Sequence, residues 1–276
     1  MTRKVTAVPQ GFRSITPYLV VRGVPALLDF LRDAFRAEEL IRAPDLQGRI
    51  AHAAVRLGDS VVEMGDVGGT EMAPLPGSLH FYVKAVDAVY RQAVEAGAKS
   101  LYEPREMEYG DREGGVQDCA GNNWFLATHK SGQAYRPPNL NDVTPGLCLN
   151  NASAFITFAE TAFAGVALSK HADSAGVVGH AKLRIGDSVI ELTEARDEWG
   201  PRSVALHHYS DRCDVIFRQG LAAGATELLP MKDQPYGDRA GGLLDAWGNH
   251  WYIATRTEDL SLGEIKAREA SGQREN

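Results

Sequence analysis

The sequence predicts an α+β chain of four β-α-β-β-β units, and three observations carry that reading. A stretch from Ile50 to Met64, IAHAAVRLGDSVVEM, returns as VGHAKLRIGDSVIEL from Val178 to Leu192, with eight of fifteen positions identical. A second stretch, YGDREGGVQDCAGNNWFLAT from Tyr109, returns as YGDRAGGLLDAWGNHWYIAT from Tyr236. His180 follows His52 by 128 residues and Tyr236 follows Tyr109 by 127, so nearly the whole first half recurs with one deletion. A repeat of that length marks duplicated domains, because solenoid repeats run to about 20–50 residues.

The elements follow in order. Residues 1–13 read as a loose lead-in. SITPYLVV from Ser14 alternates as a strand, and VPALLDFLRDAFR places Leu27, Leu28, Leu31 and Phe35 at helical spacing. Glu39 to Arg42 reads as a short strand. The repeated stretch is then a β-hairpin about a Gly58-Asp59 turn, where glycine supplies a backbone conformation that other residues resist. With Leu57 and Ser60 as its last pair, Glu63 lies opposite Ala54. His52, Arg56 and Glu63 then share one face, and Ala53, Val55, Leu57, Val62 and Met64 share the other. The first unit spans 14–65, and the Gly/Pro-rich GDVGGTEMAPLPG connects it to the second.

The second unit, 78–130, repeats the order: strand SLHFYVK, helix DAVYRQAVEA stopped by Gly97, then strands near Ser100 to Met107, Gly115 to Asp118 and Asn123 to His129. Residues 131–142, with Pro137-Pro138, read as a linker. Units 143–193 and 203–256 repeat the first two, and 257–276 is a charged tail read as a frayed helix or disorder.

Composition narrows the function. A net charge of −7 without a basic block argues against nucleic acid and anionic membranes as partners. The N-terminal MTRKVTAVPQGF lacks the apolar run of a secretory signal, and no stretch approaches the roughly 18 apolar residues of a membrane span. Cys119, Cys148 and Cys213 form no CxxC pair, which fits a reducing compartment. A cytoplasmic protein is the expectation.

The ITPYLVV start, HAxxRxGDSVxE and YGDRxGGxxDxxGNxW resemble the vicinal oxygen chelate superfamily of glyoxalases, bleomycin-resistance proteins and extradiol dioxygenases, and among them the PhnB-like proteins. The resemblance implies two glyoxalase-like domains, 14–130 and 143–256. Each would be a curled eight-stranded mixed sheet around a cup, with helices outside. It leaves open whether a cup forms within one half or by exchange of units between halves. Metal-binding members place ligands on the first and last strands of the units. Those positions fall here on Thr16, Glu63, Ser78 and Phe125, and on Thr144, Glu191, Ala205 and Tyr252. Only the glutamates bind a divalent cation strongly, which argues against an extradiol dioxygenase and weakens a glyoxalase-type metal site, where about three protein ligands are usual.

No cofactor is called for on this reading. The alternative is a divalent metal at a displaced trio, His52, Glu63 and His80, repeated as His180, Glu191 and His207. A structural reading instead pairs Glu63 with Arg56 and Glu191 with Arg184, because a buried carboxylate requires a partner. An acid-base lyase or isomerase would draw on Glu63, His80, Glu191 and His207. Arg112 and Arg239 of the YGDR loops are candidates for gripping an anion at the cup rim, the alternative being turns held by their aspartates. Tyr18, Tyr82, Phe125, Tyr209 and Tyr252 have cup parity and suit the wall of a flat ligand, while Trp124 and Trp251 read as core. The cups differ, since Tyr18 is replaced by Gly146 and Ala54 by Lys182. The leading expectation is a small-molecule-binding protein, for resistance or sequestration, acting as a monomeric pseudo-dimer or a homodimer.

Overall fold

A computed structural model describes residues 5–45, 47–67, 73–130, 134–196 and 199–272. The first unit comprises β1 (Ile15–Val21), α1 (Val24–Phe35), β2 (Glu38–Pro44), β3 (Ile50–Leu57) and β4 (Ser60–Asp66). The second comprises β5 (Ser78–Tyr82), α2 (Val86–Glu95), β6 (Lys99–Glu106), β7 (Asp111–Gln117) and β8 (Asn123–His129). The third is β9 (Val143–Leu149), α3 (Ala152–Phe163), β10 (Val166–Ala172), β11 (Val178–Ile185) and β12 (Ser188–Glu194). The fourth is β13 (Ala205–Tyr209), α4 (Cys213–Ala222), β14 (Thr226–Asp233), β15 (Asp238–Leu244) and β16 (His250–Arg256). The tail forms a helix, α5 (Leu262–Gly272). Among the described residues no helix is long and apolar enough to cross a membrane.

These elements make two eight-stranded mixed sheets, ordered β14-β15-β16-β13-β1-β4-β3-β2 and β10-β11-β12-β9-β5-β8-β7-β6. In each unit the first strand lies parallel to the last, and first strands of different units meet antiparallel, β1 on β13 and β5 on β9. The first cup therefore joins units one and four, and the second joins units two and three. The exchange that the sequence left open does occur. The sequence halves 14–130 and 143–256 nonetheless share cores: Leu27, Leu31 and Phe35 of α1 pack in one cluster with Phe81 and Trp124, and Phe155 of α3 packs with Phe217 and Trp251. Helix-side cores follow the halves, whereas cups cross them.

The hairpin has the anticipated register, with Leu57 opposite Ser60 and Ala54 opposite Glu63. Its Gly-Asp-Ser turn also docks onto the other sheet. The Asp59 amide donates to the Asp142 carboxylate (3.0 Å), the Asp142 amide donates to Asp59 (2.8 Å), and the Val143 amide donates to Ser60 Oγ (2.9 Å). In the repeat, Ser14 and Ile15 donate to Asp187 and Ser188 at 2.8 and 2.9 Å. Each turn thus holds the start of a strand in the other sheet, which gives GDS a structural reason to occur in both copies. Gly58 sits at φ +60°, and a Cβ there would lie 1.9 Å from Asp142 Oδ2. Gly58→Ala is expected to cost at least about 1–2 kcal/mol from the left-handed backbone alone, read as a lower urea midpoint. An unchanged midpoint would remove the clasp from the account.

Two sequence-based boundaries shift. Strand β7 begins at Asp111 rather than Gly115, because its pairing with β8 continues to His129 and because Tyr102 and Pro104 pack over Gly115 and Gly114, where a side chain would collide. From residue 5 on the lead-in is not loose, residues 1–4 lying outside the described residues: Val8 and Phe12 pack on Tyr209, Ala240 and Ala254, and the Arg256 amide donates to Ala7 O. Residues 68–72 of the first connector and 131–133 of the linker lie outside the described residues.

Candidate functional site

Strand alternation dictates what enters each cup. On β1 the side chains of Leu19 and Val21 go to the helix-side core, so Thr16, Tyr18 and Val20 face the concavity; on β13 the same rule sends Leu206 to the core and Ala205, His207 and Tyr209 to the cup. In the first cup Glu63 on β4 is fully buried. His52 Nε2 lies 3.0 Å from its Oε1, and His207 Nδ1, from the other sequence half, lies 3.0 Å from Oε2. Burial alone would raise the Glu63 pKa, but the charge of His207 and the hydrogen bonds from both imidazoles outweigh it and bring it down to about 2. The carboxylate is therefore ionised, and both touching nitrogens must donate to it.

Around this trio stand aromatic rings. Tyr18 stacks beside His52 (6.0 Å) and meets Tyr252 edge-on (5.1 Å); His207 stacks on Tyr209 at 3.9 Å, and Phe12 abuts Tyr209. They line a cavity of about 2220 Å³ that also reaches the lead-in and Leu260 and Ile265 near the C-terminus. Asp238, at the start of β15, lines the same cavity and is 8% exposed, with no side-chain hydrogen bond or ion pair among the described residues. Burial raises its pKa, the charge of Glu63 adds to that, and His207 and Arg256 partly offset it, leaving about 6.

The second cup is built on the same plan and is more densely crossed by ion pairs. His80 Nδ1 lies 2.8 Å from Glu191, and its Nε2 lies 3.1 Å from Glu113, within ion-pair reach although too bent for a hydrogen bond. Burial would lower the His80 pKa; Glu191 and Glu113 reverse this and raise it to about 10. Glu113 also accepts from Tyr102 (2.5 Å) and Tyr109 (2.9 Å), Lys182 lies 3.4 Å from Glu191, and Asp111 is held by Tyr82 and His129. Trp199 packs edge-on over Phe125 and Tyr102.

Several anticipated groupings change. His52, Glu63 and His80 do not converge, because unit exchange sends His80 to Glu191 and brings His207 to Glu63. The trio His180, Glu191 and His207 is split likewise. His180 remains on the second cup's hairpin, where burial lowers its pKa and the nearby Glu191 charge opposes that. Arg56 pairs with Glu38, its register partner across β2, rather than with Glu63, and Arg184 is exposed. Arg112 and Arg239 are not at a cup rim. They alternate with Asp111 and Asp238 and so fall on the helix side, where they bind Asp87 of α2 and Asp214 of α4. Asp111, Glu113, Asp238 and the tyrosines of the YGDR loops escaped the sequence reading. Extending β7 and β15 back through the glycine pair would have placed the acids on the cup face.

The metal positions of the family regroup as Thr16, Glu63, Ala205 and Tyr252 in the first cup and Ser78, Phe125, Thr144 and Glu191 in the second. One carboxylate with hydroxyls and apolar groups is a poor donor set for a divalent cation, and both Glu63 oxygens already accept from imidazoles. Among the described residues no group of three or more His, Cys, Asp or Glu is arranged to hold a metal ion.

The chain is 34% identical over 140 residues to uncharacterized proteins of Mycobacterium bovis and Mycobacterium tuberculosis, an overlap covering 47% of this chain and 89% and 79% of those proteins. Maize glyoxalase I has a similar architecture, with a TM-score of 0.61 at 16% identity over 93% of this chain and 96% of that one. A candidate dioxygenase of Bacillus subtilis gives 0.60 at 14% identity over 98% and 91%. These solved structures share the fold. The family model for the Glyoxalase/Bleomycin resistance protein/Dioxygenase superfamily matches residues 12–126, and with four such units in two cupped sheets the chain belongs to that superfamily.

Proposed function

We propose that this chain is a PhnB-like member of its superfamily that binds a small organic molecule, for resistance or sequestration, in the cup of units one and four. The observation that carries the reading is the state of Glu63: the one acid left at a family metal position of this cup has both oxygens committed to imidazoles, in a cavity walled by Tyr18, Tyr209 and Tyr252. Its carboxylate thus orients polar rings, and the aromatic faces offer area to a flat ligand. The second cup, filled by its own ion pairs and covered by Trp199, serves as scaffold. Because one chain supplies both halves of each cup, a cytoplasmic monomer suffices.

Anilinonaphthalene sulfonate, a flat aromatic probe, tests this by fluorescence titration of protein purified without a polyhistidine tag. Tyr252→Ala is expected to weaken its binding about tenfold, the worth of a stacked ring plus its buried area, while Phe125→Ala leaves it unchanged. The reverse pattern would move the site to the second cup. Near-stoichiometric metal in the purified protein, lost in Glu63→Ala, would overturn the metal-free reading.

A further inference from the structure

Outside the cups, a recess of about 630 Å³ is bounded by the lead-in, the end of α3, the hairpin turn after β11 and the start of α4. Three residues that line it, Arg184, His208 and Arg212, differ from the matching positions of the first half, and each difference leaves a polar group without its partner. Arg56 pairs with Glu38, its register partner; in the repeat the register partner of Arg184 is Val166, which is 45% exposed. The Arg184 guanidinium has no ion pair or hydrogen bond among the described residues. Arg212 stands where the first half has Ala85, at the residue before α4, and its guanidinium is likewise unpaired among the described residues.

His208 replaces Phe81. On β13 it alternates with the cup-facing His207 and Tyr209 and so turns to the helix side. Phe81 meets Phe35 edge-on at 5.4 Å, and His208 meets Phe163, the matching residue, edge-on at 5.5 Å. The position therefore suits a phenyl ring, yet it holds an imidazole that is 4% exposed and whose buried Nδ1 has no hydrogen-bond partner among the described residues. Burial, with the charge of His207, lowers its pKa to about 4, so at pH 7 the ring is neutral, one nitrogen a donor and the other an acceptor. An orphaned buried nitrogen costs stability that phenylalanine would keep. Asp211 is the one acid on the lining; it is exposed, and the Ser210 hydroxyl donates to it.

We propose that this recess binds the dianionic phosphoryl group of phosphate or of a phosphate monoester, with Arg184 and Arg212 as its cationic clamp and His208 as a neutral hydrogen-bond donor. A guanidinium is a planar fork that meets two oxygens at once. Two such forks and an imidazole exceed what the two oxygens of a carboxylate accept, whereas a phosphoryl group offers three oxygens and twice the charge. The N-terminal end of α4, a ten-residue helix, borders the recess at Arg212 and adds the positive end of its dipole. Phe163, Val166 and Ile216 give the organic part of an ester an apolar wall beside the charged end. The site lies on the helix side of the sheet and is independent of what the cups hold.

Phenyl phosphate and inorganic phosphate, titrated calorimetrically into the full chain at fixed ionic strength, are the probes. Arg184→Gln and Arg212→Gln are each expected to weaken phosphoryl binding about tenfold. Val166→Glu recreates the pairing of Glu38 with Arg56 and is expected to weaken it as much, by occupying Arg184 while every cation stays in place. His208→Phe recreates the ring pair of the first half, and is expected to raise the urea midpoint while weakening phosphoryl binding about fivefold. Because that variant stabilises the fold, its loss of binding is not a loss of folding. Unchanged affinity in His208→Phe, in both arginine variants or in Val166→Glu overturns the proposal, as does a wild type that shows no saturation below about 10 mM. Benzoate bound as tightly as phenyl phosphate would make the site one for carboxylates and overturns it too. Phenyl phosphate bound at least about tenfold tighter than inorganic phosphate identifies an ester as the ligand, and equal affinities identify the free ion; both results support the phosphoryl site.

Discussion

Replacing Glu63 by Ala is expected to lower stability by about 3–5 kcal/mol at pH 7, the cost of removing one partner from a buried charged network. Glu63 is fully buried and holds His52 from its own hairpin and His207 from the other half of the chain, so its loss leaves two polar rings facing an apolar floor. Its contacts also cross the seam between units one and four, which makes the loss one of assembly as well as of local satisfaction. The pH dependence has a definite sign. The folded carboxylate has its pKa depressed from 4.5 to about 2, so its contribution is fully present above pH 4.5 and disappears as pH falls through 2. Urea unfolding at pH 7 and at pH 3 should therefore show the gap between wild type and variant narrowing in acid. A gap below about 1 kcal/mol at pH 7 would mean that the imidazoles find other partners, and the central role given to Glu63 would fall.

Much of this structure was legible in the residues because strand alternation is strict. The hairpin register, the shared face of His52 and Glu63, the core positions of Trp124 and Trp251 and the cup positions of Tyr18, Tyr209 and Tyr252 all follow from a period of two. What stayed hidden depends on long-range pairing. Nothing local distinguishes a cup made of units one and two from one made of units one and four, because the first strands of all four units expose similar edges. The choice is expressed in contacts such as Ser14 with Asp187 and Val143 with Ser60, whose partners lie 173 and 83 residues apart. Once units exchange, His207 replaces His80 beside Glu63, and every inference about which acid faces which imidazole changes with it. The YGDR loops were misread for a different reason. Gly114-Gly115 and Gly241-Gly242 resemble breaks, yet the glycines are there so that Tyr102, Pro104 and Met231 can pack against a continuous strand. That continuity turns Asp111, Glu113 and Asp238 into the cup.

Asp238→Asn is expected to make the protein more stable at pH 7.5, by up to about 3 kcal/mol. Folding raises the Asp238 pKa from 3.8 to about 6, and one pKa unit corresponds to about 1.36 kcal/mol. Below pH 3.8 the group is protonated in both states and carries no penalty. As pH rises toward 6 the unfolded chain ionises first, so the favourable term fades, and above 6 the folded protein holds a buried carboxylate at full cost. Asparagine has the same shape and cannot ionise. Thermal or urea unfolding of the two proteins should therefore agree near pH 3.5 and diverge above pH 6, in the direction opposite to that for Glu63. The contrast is diagnostic, since both acids are buried in one cup and only Glu63 is paired with imidazoles. Asp238 has no side-chain partner among the described residues to offset its burial, so the cost falls on the folded state alone. If Asp238→Asn were neutral in stability at every pH, Asp238 would have an unrecognised partner and its buried charge would carry no cost.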